Sequence, residues 1–77
     1  MDIHDIHGRK IGFHGDANTH SVKEFFKGEG DRREAERNLS EAEHHGKAFI
    51  TVDGHHYELK KEEVDGEYII SVSKVHH

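Results

Sequence analysis

Two Asp-Gly pairs constrain the fold of this chain more than any other feature. Asp53-Gly54 and Asp65-Gly66 each lie between two segments in which apolar and polar residues alternate. Asp-Gly favours the positive φ angles of a two-residue hairpin turn, so each pair fixes the register of the strands around it. The stretch 47–75 is therefore predicted to be a three-stranded antiparallel meander.

The two turns predict one shared apolar face. The first turn places Val52 opposite His55, and the second places Leu59 opposite Val72. Because side chains alternate along a strand, these registers put one set of mostly apolar residues on the same side of the sheet. That set is Ala48, Ile50, Val52, Tyr57, Leu59, Tyr68, Ile70 and Val72. The agreement of two separate turns indicates a sheet but no function.

The first part of the chain is predicted to add a second hairpin. Over residues 1–15, a type II′ turn at Gly8-Arg9 would pair Ile6 with Ile11. The alternative is that this segment is a loose arm.

Residues 16–46 are predicted to be helical. In the first helix Val22, Phe25 and Phe26 form one stripe, which we expect to cover the apolar face of the sheet. Its N-cap candidates are Asn18, Thr19 and Ser21.

The second helix is predicted to begin at Asp31 and to end before Gly46, which suits a left-handed position. Its thin apolar stripe is Ala35, Leu39 and Ala42, and a break is expected at 38–40.

Length and composition set the class. The 77 residues make one domain, 1–77, and 31% hydrophobic residues supply only a small core, which favours a homodimer or a protein partner. We therefore predict an α+β domain of order ββ-α-α-βββ, with two short helices on one face of an antiparallel sheet. The net charge of −5 argues against binding to nucleic acid. No apolar run is long enough to span a membrane. The absence of cysteine and of a signal peptide favours a cytoplasmic location.

Ten histidines are the compositional oddity. Protonation of nearly all of them by about pH 5 would move the net charge from −5 to roughly +4 or +5. No His pair has chelating spacing within one predicted helix or strand, so a Zn, Ni or Cu site would need several elements to converge. The candidate metal ligands are His14, His20, His44, His45, His55 and His56, with His4 and His7 as further members of the set. No other cofactor is predicted.

Catalysis is not predicted. Phosphate-binding and dinucleotide-binding glycine patterns are absent, there is no Cys nucleophile, and no Ser has the setting of a nucleophile elbow. The paired carboxylates Glu62-Glu63 lie beside the second turn and are predicted to be exposed, so they do not form the concave site that catalysis requires.

The other face of the meander carries Phe49, Ile69 and Val75, which we interpret as a candidate protein-binding set. The favoured hypothesis is a noncatalytic protein-binding or regulatory module, in concrete form a small inhibitor of the kind that phages and mobile elements encode. The alternatives are a histidine-based transition-metal-binding protein and a designed or laboratory-selected scaffold without biological function. The last strand is expected at an edge of the sheet.

Overall fold

The computed structural model describes residues 1–28 and 32–75, which form a five-stranded sheet with two α-helices packed on one side. In chain order the elements are β1 (Asp2–Ile6), β2 (Arg9–Phe13), a 3-10 turn (Gly15–Ala17), α1 (His20–Lys27), α2 (Arg32–His45), β3 (Lys47–Val52), β4 (His55–Val64) and β5 (Glu67–Lys74). Across the sheet the strands are ordered β1-β2-β5-β4-β3. The predicted α+β class and the order ββ-α-α-βββ are confirmed.

The meander has the predicted registers. Val52 lies opposite His55, and Leu59 lies opposite Val72. The turn residues Asp53 and Asp65 have φ angles of 52° and 51°, as an Asp-Gly turn with two positive φ angles requires. Local turn chemistry therefore sets both pairings.

The prediction of an antiparallel sheet needs one correction, because β2 and β5 run parallel, with Ile11 opposite Ile70. The helices and the β3-β4 hairpin separate these strands in the chain, and a long connection permits parallel pairing. The strand β5 is consequently central, and the expectation that it lies at an edge was wrong. Residues 69–72 are all buried, and β5 has a strand neighbour on each side.

The N-terminal hairpin forms around a different turn from the predicted one. The central residues are His7 and Gly8, with φ angles of 52° and 82°, rather than Gly8 and Arg9. Ile6 therefore lies opposite Arg9, and His4 lies opposite Ile11. Histidine is among the few residue types that tolerate a positive φ, and all three hairpins of the sheet share this turn conformation.

Helix α1 covers the sheet as predicted. Thr19 is its N-cap and accepts a hydrogen bond from the backbone N–H of Val22 at 3.3 Å. Val22 and Phe26 are fully buried, and Phe25 is partly buried against the same core. Gly28 ends the helix in the left-handed conformation.

Helix α2 is continuous, so the break expected at 38–40 was wrong. Leu39 is buried in the core together with Ala35 and Ala42, and this contact holds the middle of the helix on the sheet. The predicted cap at Asp31 lies outside the described residues. Gly46 has a φ of 89°, and its N–H donates to the carbonyl of Ala42, which closes the last turn as predicted.

The side of the sheet under the helices is called the helix face, and the opposite side is called the open face. Ile11, Phe13 and Leu59 are among the largest buried side chains of the helix face. Among the helices described, none is long and apolar enough to cross a membrane.

Candidate protein-binding site

Large apolar side chains remain exposed at two edges and at one position on the helix face. Phe49 of β3 is 58% exposed and Tyr68 of β5 is 66% exposed, while Met1 and Ile3 flank the β1 edge. Exposed aromatic rings are the side chains that most often anchor a protein partner. Phe49 belongs to the predicted protein-binding set, whereas Tyr68 was predicted to lie on the apolar face of the sheet.

The predicted set of Phe49, Ile69 and Val75 does not form one exposed patch. Ile69 is 3% exposed although it lies on the open face. Its side chain fills the space next to Gly12, where a Cβ atom would meet both Met1 and Ile69. Val75 is half-buried, and its N–H donates to the carbonyl of His56 at 2.9 Å. Phe49 is the member of the set that a partner can reach.

The burial of Ile69 has a cause that a strand pattern does not reveal. The residues Lys10 and Glu67 beside it form an ion pair over this part of the open face. Hydrogen bonding to Glu67 raises the pKa of Lys10 above its ordinary value of 10.5. A shallow cavity of about 300 Å³ remains there, and Ile3, Val64 and Ile69 are its apolar lining residues.

Phe49 lies on an edge strand whose backbone is free on one side. Val52 faces His55 and Ile50 faces Tyr57, and every second facing pair continues this set as far as Gly46 and Lys61. In that last pair the Lys61 N–H donates a backbone hydrogen bond to the Gly46 carbonyl, so this set contains the hydrogen-bonded pairs. In an antiparallel ladder the facing pairs alternate between those that exchange backbone bonds and those that do not. The even-numbered residues of β3 therefore bond to β4. The N–H and C=O groups that point away from the sheet are those of Lys47, Phe49 and Thr51.

The composition of β3 leaves this edge unprotected. Between 48 and 52 the sequence AFITV has no charge, no Pro and no Gly, and it has high β-propensity. Protein edges are usually blunted by charges, Pro or bulges, because an open edge pairs with other chains. On β3, Lys47 is the one charged residue, and it lies at the start of the strand.

The opposite edge, β1, is protected. Asp2 and Asp5 are exposed within this five-residue strand. The Asp2 carboxylate accepts a hydrogen bond from His4 at 2.8 Å and lies 3.5 Å from the Lys23 ammonium of α1. The hydrogen bond from His4 is the main reason that the pKa of Asp2 is lowered. The two edges of the sheet thus differ in chemistry.

Tyr68 is exposed because the helices stop short of its end of the sheet. It lies on the predicted face, but the Lys61 ammonium, 4.5 Å from the ring centroid, is its neighbour instead of a helix. The adjacent cavity of about 330 Å³ is bounded on the helix side by Arg9 and Glu43. Arg9 joins β2 to α2, with Nη1 2.8 Å from Glu36 and Nε 2.9 Å from Glu43. The alternation of residues along β5 predicts the correct side of the sheet for Tyr68. It does not predict that the helices leave Tyr68 uncovered.

The candidate metal ligands do not come together. His14 Nε2 lies 4.0 Å from Glu62, His20 is near Glu24 on α1, and His56 Nδ1 is 3.1 Å from the Thr51 hydroxyl. The remaining candidates are His44 and His45 in the last turn of α2 and His55 at the start of β4. Within residues 1–28 and 32–75, no three His, Cys, Asp or Glu side chains gather into a group that would hold a metal ion.

Comparison with known proteins gives no relative from which a function follows. No family model, curated protein or solved structure matches the chain.

Proposed function

We propose that this chain is a noncatalytic protein-binding module that takes up an extended segment of a partner protein along β3. The segment pairs with the outward backbone groups of Lys47, Phe49 and Thr51, as in recognition by strand addition. The observation that carries the proposal is the exposed Phe49 ring on an edge strand that has no charge between 48 and 52.

The backbone and the ring supply different parts of the recognition. Main-chain hydrogen bonds give affinity with little dependence on the partner's sequence, and side chains at alternate positions give specificity. Phe49 is 58% exposed, so a partner that covers its ring removes substantial apolar area from water. We expect an apolar partner residue opposite Phe49.

The charge next to the ring narrows the partner further. Lys47 is exposed and lies two positions from Phe49 on the same side of the strand. Opposite charges that face each other across strands are stabilising. We therefore expect a partner segment with an acidic residue two positions from its apolar residue.

A selection from random linear peptides tests the proposal. Immobilised protein would be presented in three forms, the native chain, Phe49→Ser and Tyr68→Ser. Tyr68 is the matched control, because it is exposed to a similar extent but lies on the opposite side of the sheet in the central strand. We expect peptides of β-prone sequence to be enriched on the native chain and on Tyr68→Ser, but not on Phe49→Ser.

The same peptides supply a second measurement. N-methylation of those peptide amides that bond to β3 should abolish binding, whereas methylation of the alternate amides should not. Enrichment that is equal on all three proteins, or no enrichment on the native chain, would contradict the proposal.

A further inference from the structure

We infer that β3 of a second copy of this chain is one segment that β3 accepts, so that two five-stranded sheets join across a two-fold axis. This inference rests on the proposed function, because it uses the same edge. A two-fold interface brings the same surface of both copies together, so the edge must be complementary to itself. The backbone of β3 and the position of its single charge meet that condition.

The outward backbone groups select an antiparallel register centred on Phe49. In that register Phe49 faces Phe49 of the second copy, and Lys47 faces Thr51 of the second copy. Facing residues of this kind exchange both of their backbone bonds. All outward N–H and C=O groups of the strand are then satisfied, whereas a register displaced in either direction leaves some of them without a strand partner.

The charge of Lys47 favours the same register. With Phe49 at the axis, the two Lys47 residues are four positions apart, about 14 Å at roughly 3.4 Å per residue. That separation exceeds the screening length of about 8 Å at physiological salt. A register centred on Lys47 or Ala48 would instead place the two ammonium groups opposite or diagonal to each other, where like charges destabilise a sheet.

The β1 edge is a poorer match for β3 than β3 itself. By the same alternation, the backbone groups of β1 that point away from the sheet are those of Ile3 and Asp5. That is two residues, compared with three on β3. The Asp2 carboxylate is already bound by His4 and Lys23. Pairing of β3 with β1 of another copy would also be head-to-tail and would not close, so it would produce open-ended assemblies.

Cysteine cross-linking tests the register directly, because the chain has no cysteine of its own. Bonded facing residues have Cα atoms about 5.5 Å apart, within the range of a disulfide. Lys47→Cys and Thr51→Cys both keep the Phe49 ring. We expect a mixture of these two variants to form a disulfide-linked dimer on mild oxidation, and each variant alone to remain unlinked.

Sedimentation equilibrium tests the association without a cross-link, from about 10 µM to about 1 mM. Thr51→Pro removes an outward N–H and no backbone bond between β3 and β4, although it also removes the hydroxyl that lies 3.1 Å from His56 Nδ1. We expect the native chain and Tyr68→Ser to form dimers and no larger species. Thr51→Pro should weaken the dimer by about 25-fold, because two bonds are lost across the axis at roughly fivefold each.

The outcomes separate this inference from the proposed function. A native chain that stays monomeric and unlinked overturns self-pairing, and continued selection of peptides through Phe49 would leave strand addition standing. If no peptides are selected either, both fail. A dimer that is indifferent to Thr51→Pro, or assembly that continues beyond the dimer, also overturns self-pairing through β3.

Discussion

The Nε2 atom of His7 donates a hydrogen bond of 2.6 Å to the backbone carbonyl of Lys27, which joins the first hairpin turn to the end of α1. His7 also has a left-handed φ of 52°. Left-handed residues with a Cβ atom are costly unless their side chain is small and polar or the surrounding structure holds them. The contact between His7 and Lys27 therefore links the conformation of the His7-Gly8 turn to the position of α1.

His7→Ala should destabilise the protein by about 1–3 kcal/mol, because it removes the bond to Lys27 and leaves an ordinary residue in the left-handed region. His7→Asn should cost less, since Asn tolerates that conformation. Urea unfolding of both variants measures the difference. Equal losses would show that the turn conformation contributes nothing.

The two adjacent phenylalanines of α1 should differ sharply. Phe26 is 1% exposed and packs 6.0 Å, centroid to centroid, from Phe13, whereas Phe25 is only partly buried. Phe26→Ala should cost about 3–5 kcal/mol, and Phe25→Ala should cost clearly less. Thermal or urea unfolding provides the comparison. A larger loss at Phe25 would mean that α1 is rotated from the orientation described.

Arg9 should stabilise the contact between β2 and α2 by a modest amount. Its guanidinium reaches both Glu36 and Glu43, and all three side chains are partly exposed, so solvent screens the pairs. Arg9→Gln should cost about 1 kcal/mol at low salt and less at 1 M NaCl. A double-mutant cycle of Arg9→Gln with Glu43→Gln measures the coupling. A coupling energy of zero at low salt would count against the contact.

Asp2 gives a pH dependence whose sign follows from its environment. The pKa of Asp2 is lowered below its ordinary value of 3.8, first by the hydrogen bond from His4 and then by the charges of His4 and Lys23. A lowered pKa means that the carboxylate stabilises the fold at pH values above 3.8, and that this contribution is lost as the pH falls through the folded-state pKa.

Asp2→Asn should accordingly be less stable than the native chain at pH 5, and the difference should shrink toward pH 2. Urea unfolding at both pH values measures it, and NMR titration of the Asp2 carboxyl group measures the pKa itself. A difference that is independent of pH would contradict the role assigned to the carboxylate.

The sequence predicts those parts of the fold that local chemistry determines. Asp53 and Asp65 set two turns, and the registers they imply extend without error to Leu59 and Val72. The helix stripes are also correct at Phe26 and Leu39. In each case residues close in sequence decide the outcome.

The errors arise where distant segments meet. The pairing of Ile11 with Ile70 joins strands far apart in the chain, and no local pattern indicates that β5 receives β2 as its second neighbour. The burial of Ile69 and the exposure of Tyr68 follow from that arrangement and from where the helices end. Phe49 was identified as a surface candidate, but its value as a site depends on β3 being an edge, which only the strand order reveals.

The central position of β5 has a consequence for how the molecule assembles. β5 follows the other four strands of the sheet in the sequence, yet it lies between the β1-β2 hairpin and the β3-β4 hairpin. During synthesis on the ribosome these two hairpins have no shared edge until β5 emerges and inserts between them. Before β5 pairs, the open β3 edge and the unpaired side of β4 are both exposed. Nascent chains are therefore most prone to wrong strand pairing just before β5 joins the sheet.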